Sequence, residues 1–178
     1  LKTKYDLKLY VDEAHAFGVC GPGGRGLAAA TGTDCDILVA TLGKAIASQG
    51  AFVITDGEIR EFLVNRLRTL IFSTALPLRW SDYVIRRLPQ MESWREHLNL
   101  LSHRLTGSPS STHIVPLMAG ENRHAIEMSK KFREAGFWVM PIRYPTVPQG
   151  KARVRVSLNA ALNTGAIVKF KEVWSSIG

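Results

Sequence analysis

The stretch from Leu9 to Lys44 most constrains what this chain can fold into. Two short apolar runs, Leu7–Val11 and Ile37–Ala40, have the length and β-branched content of buried strands. Each run is followed by polar side chains, which are Asp12 and His15 in one case and Thr41 and Lys44 in the other. Ligands of open α/β sheets bind just beyond the carboxyl ends of parallel strands. The pattern therefore predicts one crevice lined by an acid, an imidazole, a hydroxyl and an amine.

Composition and charge restrict the class of function. No apolar run in the 178 residues approaches the roughly 20 residues needed to cross a bilayer. The net charge is +8, but the basic residues are scattered along the chain. Nucleic-acid binding favours basic clusters interleaved with aromatic residues. Cys20 and Cys35 have no ligand-like spacing to histidine. These features predict a cytoplasmic protein with reduced thiols and an anionic small-molecule site, without metal, membrane or nucleic-acid binding.

The first part of the chain reads as part of an α/β sheet. A glycine-rich loop at Gly18–Gly26 and a short helix at Leu27–Ala30 separate the first two strands. A third strand at Ala51–Thr55 follows too soon for a crossover, so antiparallel pairing is predicted. Helical periodicity covers Glu58–Leu70, and an extended segment then ends at Pro77. All three strands have the apolar composition of strands covered by other layers.

The rest of the chain predicts a small α+β domain. One or two helices cover residues 78–106, with a break at Pro89, and a polar loop follows at Thr106–Thr112. Strands and helices are then predicted in the order β-α-β-loop-β-α, at His113–Leu117, Asn122–Ala135, Phe137–Met140, Ala152–Leu158 and 164–177. A boundary near Pro89 gives domains at 1–88 and 89–178.

Asp12-Glu13-Ala14-His15 by itself is ambiguous. The same four residues hold Mg²⁺ in nucleic-acid helicases, but that function requires a phosphate loop of the form GxxxxGK[ST]. Here Gly43-Lys44 is followed by Ala45 and comes after the acidic motif instead of before it. The sequence therefore disfavours a helicase.

Several motifs together are more specific. Lys44 of Thr41-x-x-Lys44 follows His15 by 29 residues. Three more motifs follow in order, namely Thr74-Ala75-Leu76-Pro77, Pro145-Thr146-Val147-Pro148 and Ala152-Arg153-Val154-Arg155. This arrangement resembles the α-oxoamine synthases, a family of pyridoxal 5'-phosphate (PLP) enzymes. The resemblance implies the C-terminal part of an aspartate-aminotransferase-like PLP fold at 1–88, plus the small C-terminal α+β domain at 89–178.

The resemblance also assigns roles to individual residues. Lys44 would form a Schiff base with PLP, and Asp12 would keep the pyridine nitrogen protonated so that the ring acts as an electron sink. His15 would bond the ring hydroxyl, Thr41 would bond the phosphate, and Ser73 or Thr74 would reach the phosphate of a neighbouring subunit. Arg155 would bind the substrate carboxylate through its two-pronged guanidinium, and Thr146 would contact substrate.

Each of these residues also has an ordinary structural interpretation. Asp12 could cap a helix, His15 could be a buried histidine with satisfied hydrogen bonds, and Lys44 could be a surface lysine. Arg153 and Arg155 share one face of their strand, because side chains alternate there. One of the two arginines is therefore predicted to be structural.

The reaction implied is the decarboxylative condensation of L-alanine with pimeloyl-CoA or a pimeloyl-carrier protein, in a homodimer. Glycine with succinyl- or acetyl-CoA, serine with palmitoyl-CoA, and a non-catalytic fragment remain alternatives. The sequence departs from the family at Leu162, where members carry histidine, and it lacks their upstream strands. The fragment alone is therefore expected to be inactive.

Overall fold

The computed structural model describes residues 1–108 and 112–177, and the chain divides into two compact units between Ser93 and Trp94. This division lies a few residues beyond Pro89, within the helix that spans Glu92–Thr106. Each unit is described by itself. The assignment of domains to 1–88 and 89–178 stays a prediction.

The first unit contains a three-stranded sheet of order β1-β2-β3. The strands are β1 (Tyr10–Asp12), β2 (Ile37–Thr41) and β3 (Ala51–Thr55). β1 and β2 are parallel, and β2 and β3 are antiparallel as the short connection predicted. The predicted start of the first strand at Leu7 is wrong. The Leu9 N–H donates to the Asp36 carboxylate (2.8 Å) instead of to a strand, so regular pairing begins at Tyr10.

Five helices belong to this unit: α1 (Lys2–Tyr5), α2 (Leu27–Thr31), α3 (Gly57–Arg66), α4 (Arg68–Ile71) and α5 (Arg79–Gln90). The glycine-rich loop contains one 3₁₀ turn at Pro22–Gly24. The single helix predicted at Glu58–Leu70 is wrong, because Leu67 has an extended ψ of 100° and separates α3 from α4. The break predicted at Pro89 comes later, at Met91. Proline removes one donor from the last turn of α5, and the helix ends one residue after it.

The core of the first unit surrounds the residues that follow β2. Leu42, Ile46 and Met91 are its buried members. Phe17 and Phe52 pack against them with their rings edge to face, 4.8 Å apart. The strands themselves are less buried than predicted, since Ala40 is the only buried residue of β1, β2 and β3. A sheet face is buried only where another layer covers it, and α3, α4 and α5 contribute no buried residue.

The second unit contains α6 (Glu92–Thr106) from Trp94 onward, β4 (Ile114–Gly120), α7 (Asn122–Glu134), β5 (Met140–Ile142), β6 (Ala152–Ser157) and α8 (Thr164–Ile177). Its sheet is antiparallel, of order β4-β6-β5. The predicted β-α-β-loop-β-α order is confirmed, and the rings of Phe132 and Phe170 stack 4.5 Å apart in the core.

The strand predicted at Phe137–Met140 is wrong in its bounds, since the observed strand β5 begins only at Met140. The Phe137 N–H donates to the Phe132 carbonyl, and the Ser129 hydroxyl donates to the Val139 carbonyl, so this stretch is a turn held against α7. Pairing with β6 begins only at Met140. Residues 109–111 of the loop predicted at Thr106–Thr112 lie outside the described residues. Among the helices of the described ranges, none is both long and apolar enough to cross a membrane.

Candidate active site

Two parallel strands bring an acid and a hydroxyl to the same edge of the first sheet. Asp12 is the last residue of β1 and pairs with Val39 of β2. Thr41, two residues after Val39, is the last residue of β2. Parallel neighbours end at the same edge, which is where α/β sheets bind ligands. His15 follows Asp12 in the next turn, and Lys44 follows Thr41 in the next loop.

The turn after β1 is tightly hydrogen-bonded. Asp12 Oδ1 accepts the N–H of Ala14 (2.8 Å), and the Glu13 carbonyl accepts the N–H groups of Ala16 (2.9 Å) and Phe17 (2.8 Å). Asp12 and His15 are exposed, whereas Ala16 is buried. The turn therefore presents an acid and an imidazole to solvent while its inner residues anchor it.

Lys44 is carried by a loop whose flanks are buried. Leu42 and Ile46 lie in the core, two residues on either side of Lys44, which is itself exposed. The Leu42 N–H donates to the Gly50 carbonyl (2.9 Å), and the Ser48 N–H donates to the Leu42 carbonyl (2.9 Å). The loop is thus closed at its base, and the Lys44 side chain is exposed between two buried residues.

Thr41 takes part in closing the same loop. Its hydroxyl accepts the Gly43 N–H (3.2 Å) and donates to the Gly50 carbonyl through a long bond of 3.4 Å. A long, weak donor contact of this kind is readily exchanged for a better acceptor such as a phosphate oxygen. The hydroxyl is therefore compatible with the predicted phosphate contact.

Ser48 was not identified from the sequence. Its hydroxyl is buried and has no hydrogen-bond partner among the described residues, although buried hydroxyls are nearly always paired. It lies four residues after Lys44, within the same loop. A serine in a run of small residues carries no signal by itself, so only the tertiary structure singles it out.

Ser73 and Thr74 are both exposed in the segment after α4. The Ser73 hydroxyl donates to the Thr69 carbonyl (2.6 Å) and so has a local structural bond. Farther along the segment, the Leu76 side chain packs directly over Gly50, where a Cβ atom would collide with it. The segment therefore lies against the base of the Lys44 loop in the same unit.

The second unit distinguishes the two arginines of β6. Arg153 Nε donates to the Lys151 carbonyl (3.1 Å). Arg155 Nε is buried and has no hydrogen-bond partner among the described residues. Leaving a buried donor unpaired is costly, so Nε of Arg155, unlike that of Arg153, is available to an acceptor.

The structure shows what surrounds two other positions of the second unit, Thr146 and Leu162. Thr146 is exposed in the turn after Tyr144, whose N–H donates to Asn122 Oδ1 (3.0 Å). Leu162, which replaces a histidine of the resembled family, offers its backbone carbonyl to the ring of His97 (2.7 Å). A histidine without an assigned role thus supplies a hydrogen bond at this place.

Cys20 and Cys35 are both free thiols. Burial raises the pKa of the Cys20 thiol, and the nearby Glu13 carboxylate adds to this rise. The thiol form is therefore favoured at neutral pH.

Comparison with known proteins identifies the family. Residues 1–170 match the family model of aminotransferase class I and II. The chain belongs to this family. It is 47% identical to 8-amino-7-oxononanoate synthase of Chlorobaculum parvum, over 91% of this chain and 45% of that protein. It is 46% identical to the enzyme of the same name from Haemophilus ducreyi, over 90% of this chain and 45% of that protein. The chain spans about half the length of these curated relatives.

Solved structures agree with this placement. The 8-amino-7-oxononanoate synthase of Francisella tularensis superposes with a TM-score of 0.83 at 30% identity, covering 95% of this chain and 54% of that one. A serine palmitoyltransferase variant from S. paucimobilis, solved with a PLP–myriocin aldimine, superposes with a TM-score of 0.84 at 25% identity. The match covers 99% of this chain and 50% of that one. The predicted fold class and the resemblance to the α-oxoamine synthases are confirmed.

Proposed function

We propose that the protein containing this chain is a PLP-dependent acyltransferase. It condenses L-alanine with pimeloyl-CoA or a pimeloyl-carrier protein, releases CO₂ and forms 8-amino-7-oxononanoate for biotin biosynthesis. The observation that carries the proposal is the placement of Asp12 and Thr41 at the ends of adjacent parallel strands, with His15 and Lys44 in the segments that follow. The names of relatives at 41–47% identity support the choice of substrates.

The residues present fit PLP by their chemistry. The cofactor combines an aldehyde, a pyridine nitrogen, a ring hydroxyl and a phosphate. The two parallel strands end at or are followed by an exposed carboxylate, imidazole and amine, at Asp12, His15 and Lys44, and by the half-buried hydroxyl of Thr41. The unpaired hydroxyl of Ser48 adds a further donor in the Lys44 loop. Each of the four PLP groups named above therefore has a complementary side chain among these residues.

Each residue then has a defined task. When bound, PLP supplies an electron sink that stabilises negative charge on the α-carbon of an amino acid. Lys44 Nζ holds the cofactor and takes the α-proton, while Asp12 keeps a proton on the pyridine nitrogen. His15 orients the ring through its hydroxyl, and Thr41 binds the phosphate. Ser73 or Thr74 binds the phosphate of the other subunit in a homodimer.

Substrate binding is assigned to the second unit. Arg155 binds the carboxylate of the amino acid, because its buried Nε is an unsatisfied charged donor, while Nε of Arg153 is already bonded. Thr146, exposed in the turn after Tyr144, contacts substrate. We propose that this unit is the small C-terminal domain and the first is part of the PLP-binding domain, in a cytoplasmic enzyme.

A second candidate is another α-oxoamine synthase. Fold similarity does not separate the two, because the TM-scores to the Francisella enzyme and to serine palmitoyltransferase are 0.83 and 0.84. Sequence identity favours the first, at 30% against 25%. Turnover measurements decide between these two candidate functions. The substrate pairs to compare are alanine with pimeloyl-CoA, serine with palmitoyl-CoA, and glycine with acetyl- or succinyl-CoA.

The cofactor assignment is tested with the complete gene product that contains these residues. We expect added PLP to give a protein with visible absorbance and alanine-dependent release of CoA. Lys44→Ala removes both, whereas Lys4→Ala, an exposed lysine on α1, leaves both as in wild type. A wild-type protein that takes up no PLP contradicts the proposal and leaves the non-catalytic alternative.

A further inference from the structure

We infer that Glu13 is a positioning residue, which holds the turn carrying Asp12 and His15 in place. The inference rests on the proposed function, in which those two residues bind the cofactor. Glu13 lies between them in sequence but is only 1% exposed, whereas both neighbours in the proposed site are exposed. A buried carboxylate needs hydrogen-bond donors, and its donors show what it connects.

The carboxylate binds the start of α2. Oε2 accepts the N–H of Leu27 (3.0 Å), and Oε1 accepts the N–H of Ala28 (2.7 Å). These are first-turn donors of a helix, which have no partner within the helix itself. Glu13 therefore ties the end of β1 to an element that follows it by 14 residues.

The backbone of Glu13 binds two further elements. Its N–H donates to the Val39 carbonyl (2.7 Å), which extends the pairing of β1 with β2 past Asp12. Its carbonyl accepts the N–H groups of Ala16 and Phe17, which closes the turn containing His15. One residue thus joins the neighbouring strand, the turn and α2, and any movement of it displaces Asp12 and His15 together.

The glycine-rich loop makes room for this carboxylate. Gly26 has a φ of +98°, and a Cβ atom at this position would lie 2.7 Å from Glu13 Oε2. A larger residue would therefore collide with the carboxylate, besides being strained by the backbone angle. The glycine-rich loop between the first two strands therefore also shapes the pocket that holds Glu13.

Glu13→Gln tests the inference in the complete gene product. An amide keeps one acceptor oxygen but places an NH₂ group against the second backbone N–H. We expect hydrogen exchange at the amides of Leu27, Ala28 and residues 14–17 to accelerate at least tenfold. We also expect kcat to fall about tenfold and the pH dependence of the bound cofactor's absorbance to shift.

Asp36→Asn is the matched control. It makes the same carboxylate-to-amide change at the opposite end of the same two strands, where Asp36 accepts the Leu9 N–H. We expect faster exchange only near Leu9 and a cofactor spectrum like that of wild type, even if urea unfolding shows an equal loss of stability. Should Glu13→Gln fail to fold, Glu13→Asp is measured in the same way, since it keeps the charge but cannot reach both amides.

The outcomes separate this inference from the proposed function. Unchanged exchange at residues 14–17 in Glu13→Gln overturns the positioning role, as do equal changes in cofactor spectrum and kcat in the two variants. Failure of the wild-type protein to take up PLP overturns the proposed function instead. In that case the exchange pattern alone decides whether Glu13 holds the turn.

Discussion

Arg155 and Arg153 form a matched pair on one face of β6, which allows a test at the scale of a residue. Arg155→Lys is expected to raise KM for the amino acid about 10- to 100-fold, since a charge-assisted bond is worth about 1.5–3 kcal/mol and lysine cannot reproduce the two-pronged contact. Arg153→Lys should change KM less than twofold. Steady-state kinetics measure KM for both variants. A larger rise in KM for Arg153→Lys than for Arg155→Lys would assign the carboxylate-binding role to Arg153 instead.

Asp12→Asn tests the protonation of the cofactor. The amide keeps the size of the side chain but cannot hold the ring-nitrogen proton, so PLP should still bind while turnover falls. A partner that contributes two pKa units is worth roughly 2.7 kcal/mol, or about 100-fold in rate. Absorbance and kcat are measured on the same sample. Near-normal turnover would show that Asp12 serves only to accept the Ala14 N–H in the turn.

At the scale of the element, the loop after β2 depends on Ile46. Its side chain is fully buried beside Leu42 and Met91. Ile46→Ala should lower the free energy of unfolding by about 2–5 kcal/mol, because it leaves a cavity in the core. Ile54→Ala on β3, where the residue is 59% exposed, should cost far less. Urea denaturation of the PLP-free protein measures both, and equal losses would contradict the anchoring of the loop through Ile46.

The start of the sheet depends on an ionised carboxylate. The Leu9 N–H lowers the pKa of Asp36 to about 2 from its usual 3.8, with Lys2 and Lys8 contributing. Because the folded pKa is the lower one, the stabilisation is present above pH of about 4 and is lost as pH falls toward 2. The difference in stability between wild type and Asp36→Asn should therefore be constant near neutrality and shrink on acidification. A difference that grows between about pH 4 and 2 would contradict this.

At the scale of the whole molecule, large apolar side chains are exposed. Phe72 is 77% exposed and Leu78 is 90% exposed, and β3 presents Val53 and Ile54 to solvent. Apolar surface and strand edges of this kind favour association with another chain. We predict that the isolated 178 residues oligomerise or aggregate and are inactive with added PLP. Light scattering and a CoA-release assay test this, and a soluble monomer with the turnover of the complete enzyme would contradict it.

Local patterns of the sequence determined much of the fold. The strands Ile37–Thr41 and Ala51–Thr55 and the helix at 164–177 follow from apolar periodicity and β-branched composition, and the short connection after β2 dictated antiparallel pairing. The order of Asp12, His15, Thr41 and Lys44, together with the three motifs that follow them, indicated the family. These features depend on neighbours in sequence, and that is why a single chain reveals them.

Other features depended on contacts between residues far apart in sequence. The start of β1 was set by a side chain 27 positions away, when Asp36 took the Leu9 N–H. The turn at Phe137–Val139 is held by α7, although its composition is that of a strand. Glu13 and Ser48 stand out only by burial and by the presence or absence of a partner, and the buried, unpaired Nε of Arg155 distinguishes it from Arg153. Spacing in the sequence proposes which groups meet at the strand ends, but only packing decides which polar atoms are satisfied and which remain available to a ligand.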